Sequence, residues 1–70
     1  MRFLIVVERT ETGYAAYSPD VPGCVATGET RPEVERAMRE AIEFHFEGMQ
    51  AAGLTPPEPH SYATIVETAA

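Results

Sequence analysis

Residues 17–24 read YSPDVPGC, and Gly28-Glu29-Thr30 follows four positions after the cysteine. Two prolines in this stretch fix the backbone and remove amide donors, so regular structure has to stop here and resume on either side. The Tyr and Ala content of residues 14–18, between two turn sequences, predicts a strand before the turn. Residues 24–28 predict a second short strand after it.

A helix is predicted to begin directly after this strand. Thr30 is a typical N-cap, Pro32 suits the first turn, and Glu33 completes a capping box with Thr30. Gly53 is the expected terminator. Apolar or small residues recur between them at helical spacing: Val34, Ala37, Met38, Ala41, Ile42, His45, Met49 and Ala52.

The remaining segments predict two more strands, at residues 3–7 and 62–66. The first is apolar on both faces and is joined to the next strand by a turn at residues 10–13. The last follows a stiff link at residues 56–59 that contains three prolines. The fold class is therefore α+β, in the order βββαβ. A right-handed crossover predicts the sheet order 3-2-1-4, a partial ribonuclease-H-like sheet with one helix on one face.

This arrangement leaves more apolar surface than one helix can cover. Phe3, Ile5 and Val7 point to one face of the first strand, whereas Leu4 and Val6 point to the other. We therefore expect a homo-oligomer, a dimer or tetramer, or an obligate partner. Pairing through the fourth strand and packing through the helix phenylalanines are alternative routes, and a lid formed by the proline-rich link is an alternative to both. The candidate interface residues are Phe44, Phe46, Leu4, Val6, Tyr62 and Thr64.

Length and charge restrict the function. Seventy residues predict one domain, spanning residues 1–70, and a single cysteine suits a reducing cytoplasm. The net charge is −6, and the five basic residues, all arginines, form no patch. Direct nucleic-acid binding is therefore not expected, whereas a basic partner would be electrostatically complementary. No apolar run is long enough to span a membrane.

The order of turn, strand, cap and helix resembles the HicB-type antitoxin family. In that family a Pro-Asp-x-Pro-Gly-Cys turn leads through a short strand to a Gly-Asp/Glu-Thr helix start, and the similarity runs from about residue 3 to residue 59. The resemblance implies binding and inhibition of HicA, a small basic messenger-RNA-cleaving toxin. Family members often carry a C-terminal DNA-binding module. The sequence ends after the predicted fourth strand without one, so we do not expect autorepression.

Two groups of residues are candidates for contact with such a toxin. Tyr17, Pro19 and Asp20 lie on the segment that the resemblance singles out. Glu8, Glu11 and Glu29 are acidic residues at strand ends or turns. An ordinary turn role for Asp20 is an alternative that the proline-rich context favours. The helix glutamates Glu40, Glu43 and Glu47 form a second, less favoured surface.

The sequence does not predict an enzyme, a cofactor or a metal site. Cys24, His45 and His60 lack the spacing of a nucleophile–base pair or a zinc site. A metal-dependent nuclease on a degenerate ribonuclease-H-like fold is an alternative, because Glu8 and Glu67 would end neighbouring parallel strands. The absence of a carboxylate inside the first strand counts against it. A stand-alone self-associating domain without a toxin is a further alternative.

Overall fold

A computed structural model of the protein describes residues 1–70. It contains three strands and one helix: β1 (Val6–Arg9), β2 (Tyr14–Tyr17), β3 (Val25–Gly28) and α1 (Arg31–Ala51). The strands form one antiparallel sheet in the order β1-β2-β3, which confirms the α+β class. No helix in the structure combines the length and the apolar composition that crossing a bilayer requires.

The register of the sheet separates two faces. Val7, Ala16 and Ala26 lie opposite one another across the three strands, and this row faces α1. The neighbouring row, Val6, Tyr17 and Val25, points away from the helix because successive strand residues alternate between faces. One face of the sheet is therefore covered and the other is open.

The core under the helix is small. It consists of five buried residues, Ala16, Val21, Cys24, Val34 and Met38, with partly buried neighbours packed around them. A side-chain carbon at Gly28 would lie 2.7 Å from the backbone nitrogen of Val34, so the glycine allows α1 to approach β3 closely. Burial raises the pKa of the Cys24 thiol. Cys24 is a small buried core residue, as its sequence context predicts.

The predicted start of the helix is confirmed. Thr30 has extended backbone angles (φ −127°, ψ 164°), and its hydroxyl oxygen accepts a hydrogen bond from the Glu33 amide at 3.3 Å. The Glu33 carboxylate in turn accepts the Glu29 amide at 3.1 Å. The capping box therefore reaches one residue before the N-cap and fixes the loop between β3 and α1.

The end of the helix is also where the sequence places it. Gly53 has a positive φ of 75°, and its amide donates to the Gln50 carbonyl at 3.0 Å. The Leu54 amide donates to the Met49 carbonyl at 2.8 Å. These two bonds form a Schellman motif, which satisfies carbonyls that the last helical turn leaves unpaired.

The first strand begins later than predicted, at Val6 and not at Phe3. Its partner β2 ends at Tyr17, because the chain turns at the following residues and Pro19 has no amide to donate. The Ser18 hydroxyl donates to the Leu4 carbonyl at 2.8 Å, in place of a backbone ladder bond. Residues 3–5 therefore continue the line of β1 without belonging to the ladder.

The predicted fourth strand is absent, and with it the order 3-2-1-4. Only the 3-2-1 part exists, and residues 62–66 pair with nothing. The Asp20 carboxylate holds His60 and Ser61 beside the turn. The residues after Ser61 are exposed. The composition of this segment favours a strand, but one copy of the chain offers it no ladder.

Candidate partner-binding surface

The open face of the sheet carries apolar side chains that the fold leaves uncovered. Leu4 and Val6 are half-buried there, Tyr17 is 43% exposed and Val25 is 70% exposed. Val6, Tyr17 and Val25 form one cross-strand row, so their side chains are neighbours. An aromatic and three aliphatic side chains on a flat sheet are suited to packing against another protein.

One end of this face is acidic. Glu8 is the third residue of β1, Glu11 lies in the β1–β2 turn, and Glu29 follows β3. Tyr14 pairs with both Arg9 and Gly28, so the β1–β2 turn and the end of β3 lie at the same end of the sheet. All three carboxylates are exposed, and none has an arginine within salt-bridge distance. We refer to Glu8, Glu11 and Glu29 as the acidic rim.

Tyr17 and Pro19 lie at the opposite end of the sheet. Both are exposed, and Tyr17 is the last residue of β2 whereas the acidic rim surrounds its first residue. The predicted contact residues therefore form two groups joined by the open face, and not one cluster. Contact of either group with a partner stays a prediction.

Asp20 is placed differently from the other candidates. Its side chain is fully buried, and its carboxylate accepts the Ser61 hydroxyl at 2.6 Å, the Ser61 amide at 2.9 Å and the His60 amide at 3.0 Å. The His60 ring nitrogen Nδ1 lies 3.1 Å away. We refer to these contacts of Asp20 with His60 and Ser61 as the latch. Asp20 shapes the turn from inside, which is the turn role that its proline-rich context favours, and its contact with a partner stays a prediction.

The latch also shifts the acidity of Asp20. Hydrogen bonding from the Ser61 hydroxyl is the main influence that lowers the pKa of Asp20 below its ordinary value of 3.8. Burial acts in the opposite direction, whereas the Ser61 and His60 amides and the charge of His60 reinforce the lowering. The turn of residues 17–24 and the segment at residues 56–61 are therefore joined through an ionised carboxylate.

The residues predicted for self-association lie on three different surfaces. Leu4 and Val6 belong to the open face, and Phe44 is 78% exposed on the helix. Phe46 packs edge-on against Phe3 within the same chain, with ring centroids 5.2 Å apart. Tyr62 and Thr64 are exposed on the C-terminal segment. Val25 is a further residue of the open face that was not predicted, although its alternation with the buried Cys24 indicates an outward side chain.

The structure brings no metal-binding group together. No cluster of three or more His, Cys, Asp or Glu side chains could hold an ion. The nuclease alternative placed Glu67 next to Glu8 through a fourth strand beside β1. Without that strand, a single copy of the chain does not bring these two carboxylates together.

Comparison with known proteins identifies related sequences. A family model described as a HicB-like antitoxin of bacterial toxin–antitoxin systems matches residues 3–70. An uncharacterised 14.9 kDa protein of Haemophilus phage HP1 is 45% identical over 49 residues, which cover 70% of this chain and 37% of that protein. Antitoxin HicB 2 of Photorhabdus laumondii is 37% identical over 51 residues, covering 67% and 37% respectively. The chain thus spans little more than a third of these two relatives.

Comparison with solved structures identifies the same kind of protein. A chain of a HicA3 and HicB3 toxin–antitoxin complex superposes with a TM-score of 0.67 and 27% sequence identity. The superposition covers 83% of this chain and 72% of that one. Three antiparallel strands followed by one helix are therefore an arrangement that this chain shares with a component of such a complex.

Proposed function

Because the chain belongs to the family of HicB-like antitoxins of bacterial toxin–antitoxin systems, we propose that it binds and inhibits a small basic HicA-like ribonuclease in the cytoplasm. Membership of an antitoxin family indicates a regulator and not an enzyme. The similar fold in a HicA3 and HicB3 complex supports a toxin as the partner. In this role the protein acts by covering the toxin's RNA-cleaving surface.

The open face of the sheet is the observation that carries the proposal. Val25 and Tyr17 expose apolar surface on a protein in which only seven of 70 residues are buried. A partner that covers this row removes apolar area from water, at about 25 cal/mol per Å². The unpaired carboxylates of the acidic rim then lie at the edge of the contact, where a basic toxin supplies arginine and lysine side chains.

The experiment uses a purified toxin of the HicA type. RNA is incubated with that toxin, with and without the antitoxin, in the presence of magnesium. We expect RNA to stay intact when the antitoxin is in excess, and the antitoxin alone to leave RNA intact. Cleavage by the antitoxin alone would support the nuclease alternative.

A matched pair of substitutions locates the binding face. Val25→Asp places a charge on the open face, and Phe44→Asp places the same charge on an equally exposed apolar site of the helix. We expect Val25→Asp to weaken toxin binding about tenfold or more, because a buried unpaired carboxylate is costly. Phe44→Asp should bind like the unmodified protein. A larger loss with Phe44→Asp would place the toxin on the helix instead.

A further inference from the structure

The outer edge of β1 is open, and the residues before β1 belong to no strand ladder. β1 is the first strand of the sheet, so no strand lies on its other side. Outside the helix and the strand ladder, none of the backbone–backbone hydrogen bonds involves residues 1–5. The sequence nevertheless favours a strand over residues 3–7, so this edge offers unused backbone donors and acceptors.

A second strand-forming segment is equally unpartnered. Residues 62–66 read YATIV, without a charge or a proline. Tyr62 is 84% exposed, Ile65 is 92% exposed and Val66 is 77% exposed. Both segments favour strand formation, yet residues 3–5 and 62–66 belong to no ladder in a single copy of the chain. Local preference and structure therefore conflict. Pairing the two segments with each other removes this conflict.

The latch fixes the point at which the C-terminal segment leaves the body of the protein. Ser18 is bonded to Leu4, and Asp20 two residues later holds His60 and Ser61. The segment therefore leaves the body of the protein at the end of the sheet where β1 begins. The proline-rich link before it is stiff. All residues from 62 to 70 are exposed, so the segment is not packed into the body of its own copy.

We propose that two copies of the chain exchange their C-terminal segments, with residues 62–66 of each copy adding a strand along the outer edge of residues 3–7 of the other. The exchange gives each sheet its fourth strand from the partner copy. Reciprocal exchange closes on itself with twofold symmetry, so it forms a dimer and not a fibre. With −6 net charge on each copy, backbone bonds and apolar contacts supply the attraction, which fits an uncharged segment.

A groove lies between α1 and the residues that precede β1. It has a volume of about 550 Å³ and is lined by Phe3 and Ile5 on one side and by Ile42 and Phe46 on the helix, with Glu35, Arg39 and Glu43 at its helix side as well. The helix covers β1 least of the three strands, which leaves room for a further strand there. A strand at this edge directs alternate residues toward the helix, and these side chains fill the groove.

The mass of the full chain in solution tests the exchange, together with a matched proline pair. We expect light scattering to give twice the 7.7 kDa of one chain. Thr64→Pro removes a ladder donor twice per dimer and should raise the dimer dissociation constant about tenfold or more. Thr68→Pro, outside the exchanged run, should leave it unchanged. A monomer at all accessible concentrations, or a dimer indifferent to Thr64→Pro, overturns the proposal.

A photo-crosslinking residue in place of Tyr62 identifies what the segment touches. The substituted protein is mixed with isotopically heavy copies, refolded and irradiated, and the crosslinked peptides are analysed by mass spectrometry. We expect mixed light–heavy crosslinks to residues 3–7. Crosslinks within single copies only would show that the segment folds back on its own edge. Mixed crosslinks to Tyr17 or Val25 on the open face, without crosslinks to residues 3–7, would show a different dimer. Either result overturns the exchange.

Discussion

Asp20 joins the turn at residues 17–24 to the C-terminal segment. Its carboxylate receives donors from the backbone and side chains of two residues that are about forty positions away in sequence. An ionised acceptor makes such bonds stronger than a neutral one does. One buried carboxylate therefore holds the turn and the C-terminal segment together.

The first prediction concerns the acid sensitivity of this latch. Because the pKa of Asp20 is lowered in the folded protein, its stabilising contribution is complete above the ordinary value of 3.8 and is lost as the pH falls below it. Urea unfolding of the unmodified protein and of Asp20→Asn should therefore differ at neutral pH, with the variant less stable. The difference should shrink as the pH falls below 3.8.

An exposed carboxylate provides the control for this measurement. Glu40→Gln removes a charge from the solvent side of the helix and should leave the unfolding curve unchanged at either pH. If Asp20→Asn were as stable as the unmodified protein at neutral pH, the latch would have no energetic role.

Contacts of individual residues are harder to predict from the sequence than helices and strands are. Proline and glycine around Asp20 show that it lies in a turn, and an internal turn role was the favoured interpretation. Nothing local identifies Ser61 as its partner, because the contact is set by the path of the chain between them. For the same reason the sequence could not show that Asp20 is buried while Tyr17 and Pro19 are exposed.

The elements differ in how far local chemistry determines them. The start and end of α1 agree with the sequence to within a residue, since Thr30, Glu33 and Gly53 act through bonds to their immediate neighbours. β2 and β3 also lie where they were predicted. β1 is displaced and the fourth strand is missing, because strand formation requires a partner edge that propensity alone does not provide.

A pair of glycine substitutions tests the contact between helix and sheet. Gly28→Ala places a methyl group against the backbone of Val34, so we expect a loss of about 1–3 kcal/mol of unfolding free energy. Gly48→Ala lies inside α1 and meets nothing within 4 Å, so we expect a gain of about 0.5–1 kcal/mol from the better helix former. Thermal unfolding should show shifts of opposite sign. Equal shifts would mean that Gly28 is not a close-packing position.

A single copy of the chain leaves many of its large apolar side chains exposed. Five core residues support a chain whose open sheet face, free β1 edge and C-terminal segment all carry apolar side chains. Domains of this size are marginally stable unless something else contributes. Leu4 and Val6 belong both to the open face and to residues 3–7 at the free edge, so the two proposals place a toxin and a second copy of the chain next to each other.

The last prediction concerns the charge of the whole molecule and where it acts. A net charge of −6 attracts a basic toxin from any side, but docking is steered by carboxylates close to the contact. Reversal of the acidic rim by Glu8→Lys, Glu11→Lys and Glu29→Lys should therefore slow toxin association about tenfold or more at low salt. Glu40→Lys, Glu43→Lys and Glu47→Lys change the net charge equally but lie on the exposed side of the helix, so they should slow it less. Stopped-flow association rates measured over a range of salt should show the two variants converging as screening increases. A greater effect of the helix variant would mean that the toxin approaches the helix and not the rim.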